Sequence, residues 1–474
     1  MASLAGLLKD RGFRVTGSDS NPYPPMSTQL EALGIRIQKP YAAANLNPRP
    51  DFVIVGNVIS ANNEEATELR RLEIPHTSLP KAIGEWVIEN RQCVNISGTH
   101  GKTTTTAIAS WVWDQLGHKP GFLIGGVPKN FPFSFRNPAG DWFVIEGDEY
   151  DTAYFDKVPK FIHYRPRHVI FTSCEFDHAD IYNSIKDVEA AFLKLMSLVP
   201  QEGTLIYWGE SEAVRKIADS SSCLRKWSYG FKGTDYQAFG LRVSEGLTHF
   251  SVRFQGQHAG KASISDSLSG EARTENLDEF SMILPGEHNV LNALSVIAMA
   301  HSLGFAMPSV RSALGTFTGV KRRQEILGEP GGVLVIEDFA HHPTAVKETL
   351  KAVKTLYPGR RVFGVFEPRS ATSRRKIFQK NYVEALSHAD VAIVMAAFDQ
   401  AKIGEGDRFS SEELVDDLKK QGCLAQCFQS VPAIVDWVAA EAHPGDVVLI
   451  MSNGGFDGIY GKLLEALSHS AKEN

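Results

Sequence analysis

The sequence predicts an α/β protein of three domains with mainly parallel sheets. Strand-like apolar runs alternate with helical patterns along most of the chain, which is typical of βαβ units. The length of 474 residues corresponds to about three domains of about 150 residues each. A glycine-bounded loop between a strand and a helix, residues 98–104, indicates a P-loop domain. We expect the domains at residues 1–90, 91–318 and 319–474.

Composition excludes several classes of protein. Hydrophobic residues make up 43% and charged residues 22%, which excludes a fibrous, collagenous or largely disordered chain. The net charge of −6 predicts no basic face for nucleic acid. No apolar run approaches the ~20 residues of a membrane span, and the short apolar start lacks the basic leader of a signal peptide. The five cysteines form no disulfide framework or zinc spacing, so we expect a reducing, cytoplasmic setting.

The first domain opens on a helix that leads into a strand, Phe13 to Gly17. Ser18 and Asp19 stand at the carboxyl end of that strand, and Asn57 follows a second strand at 51–55. In a dinucleotide-type βαβ unit, the acid at this place commonly contacts a ribose. The sequence begins inside the helix, so we expect this domain to lack the first strand of such a unit and part of its phosphate loop.

The central domain carries the strongest local motif. A strand at 93–97 leads into the loop, and a helix follows it. Glycines let backbone N–H groups turn toward phosphate oxygens, and the helix N-terminus adds a favourable dipole. Lys102 can reach the β and γ phosphates of a nucleotide, and the Thr103 hydroxyl suits Mg²⁺. Ile96 stands where the usual pattern has a further glycine, and a glycine-rich helix cap is the alternative interpretation. The predicted loop consists of Gly98, Thr99, His100, Gly101, Lys102, Thr103 and Thr104.

Two further side chains are candidate magnesium ligands. Glu146 directly follows the strand at 142–145, and His178 lies just past the strand at 168–172. A phosphate-bound Mg²⁺ needs a carboxylate at the tip of a neighbouring strand, so we predict a site made by Thr103, Glu146 and His178. The alternatives are a solvated acidic turn and a structural histidine.

The remaining strands repeat the α/β rhythm. A further central strand is expected at 204–208, and the polar stretch 255–281 is expected to form exposed hairpins or loops. The strands of the third domain are expected at 333–336, 361–366, 391–396 and 447–451.

These residues resemble the Mur ligase family, ATP-dependent enzymes that add amino acids or peptides to UDP-N-acetylmuramic acid. The resemblance covers essentially the whole chain and includes the segment 286–292, which looks like a Gly-x-His-Asn-x-x-Asn signature. It implies a Rossmann-like UDP-binding domain, a central P-loop ATPase domain and a C-terminal Rossmann-like domain. Asn289 and Asn292 stand three apart at a helix start, where they could contact adenine; a helix cap with a surface Asn is the alternative. Ser18, Asp19 and Asn57 would contact the UDP-sugar.

The third domain opens on two more motifs of that family, at 322–323 and 337–343. The resemblance implies that Arg323 stabilises the transferred phosphoryl group and that Asp338 holds the ATP ribose. His341 and His342 would face the incoming nucleophile. A basic linker followed by a helix cap explains any one of these features, but not all of them in this order.

Two branches of the family are similar to this chain. One adds L-alanine to UDP-N-acetylmuramate and shares the phosphate loop and the Asp-x-x-His-His-Pro motif. The other adds the recovered tripeptide L-Ala-γ-D-Glu-meso-diaminopimelate. Ser370 and Ser373 replace arginines expected in the alanine branch, which favours a longer substrate, and Arg369 with Ser370 is predicted to bind the peptide. Segments similar to the tripeptide branch are 23–28, 124–128, 175–180, 367–370 and 452–456.

The predicted activity is therefore ATP-dependent, ADP-forming ligation of the tripeptide to UDP-N-acetylmuramate through an acyl phosphate. Lys102, Arg323 and Mg²⁺ would stabilise the phosphoryl group, and His341 or His342 would help to deprotonate the amine. The alternatives are the L-alanine ligase, a P-loop switch or motor, and a folate polyglutamate ligase, which needs no UDP-binding domain. The expected partners are UDP-N-acetylmuramate and the murein tripeptide, without nucleic acid or membrane, in a monomer or small homo-oligomer.

Overall fold

The computed structural model describes residues 1–22, 24, 26–256, 273–401 and 403–473. It confirms the α/β class. A ten-stranded sheet and a six-stranded sheet carry most strands, and two short parallel pairs lie near the N-terminus. The ten-stranded sheet draws its strands from residues 92–282 and the six-stranded sheet from residues 325–451. The predicted boundaries near 90 and 318 fall outside both sheets and stay predictions. No helix in the described ranges is long and apolar enough to cross a membrane.

The N-terminal region contains two separate parallel strand pairs, β1 with β2 and β3 with β4. Its first strand begins at Thr16 rather than at Phe13 as predicted, because the Phe13 amide donates to Leu8 O in the turn that ends the first helix. The similar segment 23–28 includes residues 23 and 25, which lie outside the described residues. The elements are α1 Ala2–Asp10, β1 Thr16–Ser18, α2 Met26–Ala32, β2 Arg36–Gln38, β3 Val53–Val55, α3 Glu64–Arg71, β4 His76–Ser78 and α4 Leu79–Ile83.

The central region is built on the ten-stranded sheet, in the order β16-β15-β14-β13-β12-β11-β5-β8-β6-β7. Its elements are β5 Gln92–Ser97, α5 Lys102–Gln115, β6 Gly121–Leu123, β7 Phe135–Arg136, β8 Trp142–Gly147, β9 Asp151–Ala153, β10 Asp156–Pro159, β11 His168–Phe171, α6 Ile185–Leu198, β12 Thr204–Trp208, α7 Glu212–Asp219, β13 Arg225–Gly230, β14 Tyr236–Ser244, β15 Leu247–Gly256, β16 Arg273–Met282, α8 Glu287–Ser302 and α9 Met307–Gly315.

The strands β12, β11, β5, β8 and β6 run parallel and are covered on both faces. On one face Val94 and Ile96 pack into a cluster with Trp113 of α5. On the other, Cys93 packs into a cluster with Phe192 of α6. Burial on both faces explains why these strands are nearly continuous apolar runs in the sequence.

The polar stretch 255–281 is an antiparallel strand pair where it is described. β15 pairs with β16, and Leu277 and Phe280 of β16 are buried. The sequence predicts exposed hairpins or loops here, and the antiparallel pairing agrees with a hairpin. Leu277 and Phe280 depart from the expected exposure, because the strand turns these apolar side chains toward the core. Residues 257–272 lie outside the described residues.

The C-terminal region is built on the six-stranded sheet, in the order β17-β18-β22-β19-β20-β21. All neighbours pair in parallel except β17, an antiparallel edge strand that the sequence does not predict. Its elements are β17 Glu325–Gly328, β18 Leu334–Asp338, α10 Pro343–Leu356, β19 Val362–Phe366, α11 Gln379–Leu386, β20 Val391–Met395, α12 Ser411–Lys420, β21 Leu424–Phe428, α13 Val431–Glu441, β22 Val447–Met451 and α14 Ile459–Glu473.

Candidate active site

One cleft of about 2220 Å³ is lined by residues of all three regions. It lies where the carboxyl ends of the parallel strands meet loops and helix starts, the usual place for ligands in such sheets. Gly98, Arg369 and Ser370 are not among the residues that line it. The predicted residues that do are Ser18, Asp19, Asn57, Thr99, His100, Gly101, Lys102, Thr103, Thr104, Glu146, His178, Asn289, Asn292, Arg323, Asp338, His341 and His342.

The phosphate loop connects β5 to α5 and depends on its glycines. Gly98 and Gly101 have φ angles of 137° and 82°, which L side chains rarely adopt. A Cβ atom at Gly101 would lie only 2.5 Å from Asn292 Oδ1. Among the described residues, no side chain caps the start of α5, so the first N–H groups of this helix are available to an anion.

Lys102 lies between the loop and a buried carboxylate. Its ammonium donates to Gly98 O at 2.6 Å and to Glu149 Oε2 at 3.0 Å. Burial disfavours the charged form of Lys102, but Glu149 and Asp148 outweigh this effect and raise its pKa above the ordinary value. Lys102 is therefore charged before any nucleotide binds. The sequence does not single out Glu149, although the acidic run after β8 points to it.

The Thr103 hydroxyl contacts side chains of two regions, the central one and the C-terminal one. Its hydroxyl donates to Glu146 Oε2 at 3.0 Å, and Arg323 Nη2 of the C-terminal region lies 3.3 Å from the same Thr103 oxygen. Burial and the neighbouring Asp148 raise the pKa of Glu146. The structure thus brings Lys102, Thr103, Glu146 and Arg323 together around one point.

Three carboxyl groups surround the predicted magnesium ligands. Glu146 and Glu149 are buried and Asp148 is half-buried. Lys102 contacts both Asp148 and Glu149, and Lys160 contacts Asp148. His178 contacts Glu149 rather than Glu146: its Nε2 lies 3.4 Å from Glu149 Oε1. Mg²⁺ prefers oxygen ligands such as carboxylates and hydroxyls. The ligand set Thr103, Glu146 and His178 stays a prediction.

The two amides at the start of α8 hold one another in place. Asn289 Nδ2 donates to Pro285 O at 2.8 Å and to Gln324 Oε1 at 3.1 Å, and Asn292 Nδ2 donates to Asn289 Oδ1 at 3.3 Å. Asp338 accepts the backbone N–H of Gln324 at 2.8 Å through Oδ2. Gln324 therefore links α8 to the end of β18. The adenine and ribose roles of these side chains stay predictions.

The adjacent histidines have different hydrogen bonds. His341 Nδ1 donates to Phe339 O at 3.0 Å, and no other described residue bonds its Nε2. His342 Nε2 donates to Phe176 O at 3.2 Å, while its Nδ1 accepts the Thr344 N–H at 3.3 Å and so caps α10. Burial lowers the pKa of both rings, that of His342 to about 3. His341 is therefore the ring with a nitrogen lone pair to spare.

The predicted peptide-binding residues lie beside the cleft, after β19. Arg369 Nη1 is 3.3 Å from Glu367 Oε1, and its guanidinium carbon is 4.1 Å from the centre of the Phe398 ring. Ser370 donates to Ser373 Oγ at 2.9 Å. Their role with a peptide stays a prediction.

Three family models match successive parts of the chain. The model described as Mur ligase family, catalytic domain, matches residues 1–91. The Mur ligase middle domain matches residues 96–300. The Mur ligase, glutamate ligase domain, matches residues 322–454.

Named relatives extend this similarity over the whole chain. The UDP-N-acetylmuramate–L-alanyl-γ-D-glutamyl-meso-2,6-diaminoheptandioate ligase of Escherichia coli is 38% identical over 100% of this chain and 97% of its own. The UDP-N-acetylmuramate–L-alanine ligase of Desulfitobacterium hafniense is 29% identical over 94% of this chain and 92% of its own. The crystal structure of a murein peptide ligase from Psychrobacter arcticus superposes with a TM-score of 0.71 and 33% identity, covering 99% of this chain and 96% of its own.

Proposed function

The chain belongs to the Mur ligase family, and from this premise we propose that it ligates L-alanyl-γ-D-glutamyl-meso-diaminopimelate to UDP-N-acetylmuramate with ATP. The products of this reaction are ADP, phosphate and the new amide. One observation carries the proposal: Lys102 and Thr103 of the phosphate loop meet Arg323 of another domain in a cleft that all three regions line. The tripeptide is supported by the names of the Escherichia coli and Psychrobacter arcticus relatives.

The chemical task is to make a carboxylate reactive toward an amine. An oxygen of the lactyl carboxylate attacks the γ-phosphorus of ATP, the bond to ADP breaks, and an acyl phosphate forms. Two anions must approach each other, so positive charge at the phosphates dominates the barrier. Lys102 and Arg323 supply that charge from two sides of the loop.

A divalent ion would fit beside the phosphate loop, next to Lys102 and Arg323. Thr103, Glu146 and His178 would hold Mg²⁺, which when bound would neutralise phosphate charge as a Lewis acid. The buried Glu146 carboxylate beside the Thr103 hydroxyl supports this assignment, because Mg²⁺ prefers oxygen ligands.

The second step of the reaction needs a neutral amine, because a protonated amine has no lone pair with which to attack. The tripeptide amino group attacks the acyl carbon, a tetrahedral intermediate forms, and phosphate leaves as the amide forms. We assign the proton acceptor to His341, because no residue in the described part of the chain bonds its Nε2, whereas both nitrogens of His342 form hydrogen bonds. Enclosure between the domains would protect the acyl phosphate from water.

A substrate panel tests the proposal. Purified protein is given ATP, Mg²⁺ and UDP-N-acetylmuramate with L-alanine, a dipeptide, the tripeptide or a tetrapeptide, and products are identified by mass spectrometry. We expect kcat/KM for the tripeptide to exceed that for L-alanine by at least ~100-fold, because polar groups of the site that bind the longer peptide would stay unpaired with L-alanine. Equal or better turnover of L-alanine would place the chain in the alanine branch. Hydrolysis of ATP that is independent of the UDP-sugar would point instead to a nucleotide switch.

A further inference from the structure

The loop that follows β11 contacts two domains at once. We call residues 175–178 the docking loop; they are Glu175, Phe176, Asp177 and His178. The loop belongs to the central region and begins four residues after the end of β11 at Phe171.

On one side, three consecutive residues of the docking loop each accept a hydrogen bond from the C-terminal region. Glu175 Oε2 accepts the Thr344 hydroxyl at 2.7 Å, and the Phe176 carbonyl accepts His342 Nε2 at 3.2 Å. Asp177 Oδ1 accepts the Thr372 hydroxyl at 2.6 Å. Asp177 is 6% exposed and Thr372 is 2% exposed. Hydrogen bonds to a buried carboxylate are among the stronger ones in proteins.

On the other side, the same loop contacts the nucleotide site. Glu175 Oε2 lies 3.1 Å from His100 Nε2, and the Glu175 N–H donates to Thr99 Oγ1 at 3.2 Å. Both partners belong to the phosphate loop. At the other end of the docking loop, His178 lies beside Glu149, which binds Lys102.

The carboxyl groups of the docking loop are held by their contacts with neighbouring polar side chains. Although burial disfavours the ionised form of Glu175, its contacts with His100 and Thr344 lower the pKa to about 2. Glu175 is therefore a carboxylate at neutral pH and needs its donors. The Asp177 side chain is buried, and its Oδ1 accepts the Thr372 hydroxyl.

A metal ion is the competing explanation for part of this cluster. Ligand atoms of His100, Glu175 and His342 lie within 4.8 Å of one another, a spacing that a metal could bridge. However, the Thr344 amide already binds His342 Nδ1, and the Thr344 hydroxyl already binds Glu175 Oε2. Thr344 thus occupies two of the three ligand atoms.

We propose that Glu175 and Asp177 are positioning residues that hold the C-terminal domain against the phosphate loop, in the orientation that brings Arg323 to Thr103. The inference rests on the proposed function, since it assigns a step to the same site. Docking would complete the cation set around the phosphates only when the two domains are closed.

The test uses threonine hydroxyls, because their removal leaves both carboxylates and all catalytic residues in place. Thr344→Val loses the hydrogen bond to Glu175. Thr372→Val loses the hydrogen bond to Asp177 and the one that its oxygen accepts from the Ala179 N–H at 3.3 Å, and Thr372→Ser restores the hydroxyl. Thr355→Val is the matched control: its exposed hydroxyl donates to Lys351 O within α10, away from the docking loop. Melting temperatures establish that each variant is folded.

We expect Thr372→Val and Thr344→Val to lose about tenfold to 100-fold in kcat, the range for one hydrogen bond to a charged group. The Kd of a fluorescent ATP analogue should change less than about threefold, because the phosphate loop is intact. Small-angle scattering of the full chain with a non-hydrolysable ATP analogue and UDP-N-acetylmuramate should show a larger radius of gyration than wild type. Thr372→Ser and Thr355→Val should behave as wild type in every measurement.

Wild-type kcat and scattering in both valine variants would overturn the inference. So would a stoichiometric transition metal in the purified wild-type protein, because it would have to occupy the atoms that Thr344 binds in this structure. Failure of the proposed function is a different result: the wild-type protein would then form no ligation product, while scattering would still report whether the threonines hold the domains together.

Discussion

At the scale of single residues, the site is charged before its substrates arrive. Lys102 keeps its proton because Glu149 and Asp148 compensate for burial. An incoming phosphate would therefore replace one anionic partner of Lys102 by another, and little charge has to be rearranged during the reaction. Preorganised charge of this kind is usually the largest contribution to catalysis.

Replacing this charge gives a direct prediction. Lys102→Ala should reduce the ligation rate by at least ~100-fold, because the transferred phosphoryl group loses its nearest cation. The measurement is ADP formation that depends on both UDP-N-acetylmuramate and the tripeptide. Lys157→Ala is the matched control, since Lys157 forms an exposed ion pair with Asp151 at 2.7 Å. Full activity in a folded Lys102→Ala protein would remove the phosphate loop from the mechanism.

At the scale of elements, β11 combines a buried core with functional residues at its carboxyl end. The strand opens on His168, which is 2% exposed, stacks on Trp142 at 5.5 Å between ring centres and contacts Gln92 Oε1 at 3.2 Å. Burial and the nearby cations Arg225 and Arg167 lower the pKa of His168 to about 3. The ring is therefore neutral in the folded protein at any pH above that value.

This burial predicts a pH-dependent stability. An unfolded histidine binds a proton below about pH 6.5, whereas folded His168 does so only near pH 3. Its contribution to the free energy of unfolding is therefore complete above about pH 6.5 and falls by ~1.4 kcal/mol per pH unit below it. Denaturant unfolding at pH 7 and pH 5 should show a smaller loss in His168→Gln than in wild type, by about 2 kcal/mol.

The control for this prediction is His443→Gln, because His443 is exposed in the loop before β22. That variant should lose as much stability between the two pH values as wild type does. An unchanged loss in His168→Gln would mean that His168 is protonated, or accessible to water, in the folded protein.

Elements also differ in how far the sequence predicts them. The parallel strands β5, β8, β11 and β22 are predicted to within a residue or two, because strands covered on both faces are continuous apolar runs. The edge strand β17 is missed, and β16 is predicted only as part of exposed hairpins or loops, because neither segment is a continuous apolar run. Short strands are stabilised by neighbouring strands that lie elsewhere in the sequence, so the residues of the strand alone do not predict them.

The same limit applies to the site. The phosphate loop is local, so glycine spacing and the neighbouring strand and helix are enough to predict it. The docking contacts are not local: Asp177 and Thr372 are 195 residues apart, and Arg323 and Thr103 are 220 apart. A threonine hydroxyl that binds a distant carboxylate leaves no pattern in one sequence. Resemblance to a family points to Arg323, but only the folded chain brings Glu175, Asp177 and Gln324 to the site.

At the scale of the whole molecule, the division into three regions is what makes the chemistry feasible. The acid to be activated, the nucleotide and the amine would each enter from a different region, and the cleft between them is their meeting place. Arg323 reaches the phosphate loop only when the central and C-terminal regions are together. Closure thus links the formation of the acyl phosphate to the exclusion of water, which would otherwise hydrolyse it.

In the proposed reaction ATP phosphorylates the sugar-linked carboxylate before the amine attacks, and an oxygen label tests this order directly. UDP-N-acetylmuramate carrying ¹⁸O in both lactyl carboxylate oxygens is ligated to the tripeptide, and the products are examined by mass spectrometry. The predicted result is one ¹⁸O in inorganic phosphate and one in the new amide carbonyl. Phosphate without label, or label recovered in AMP, would contradict it.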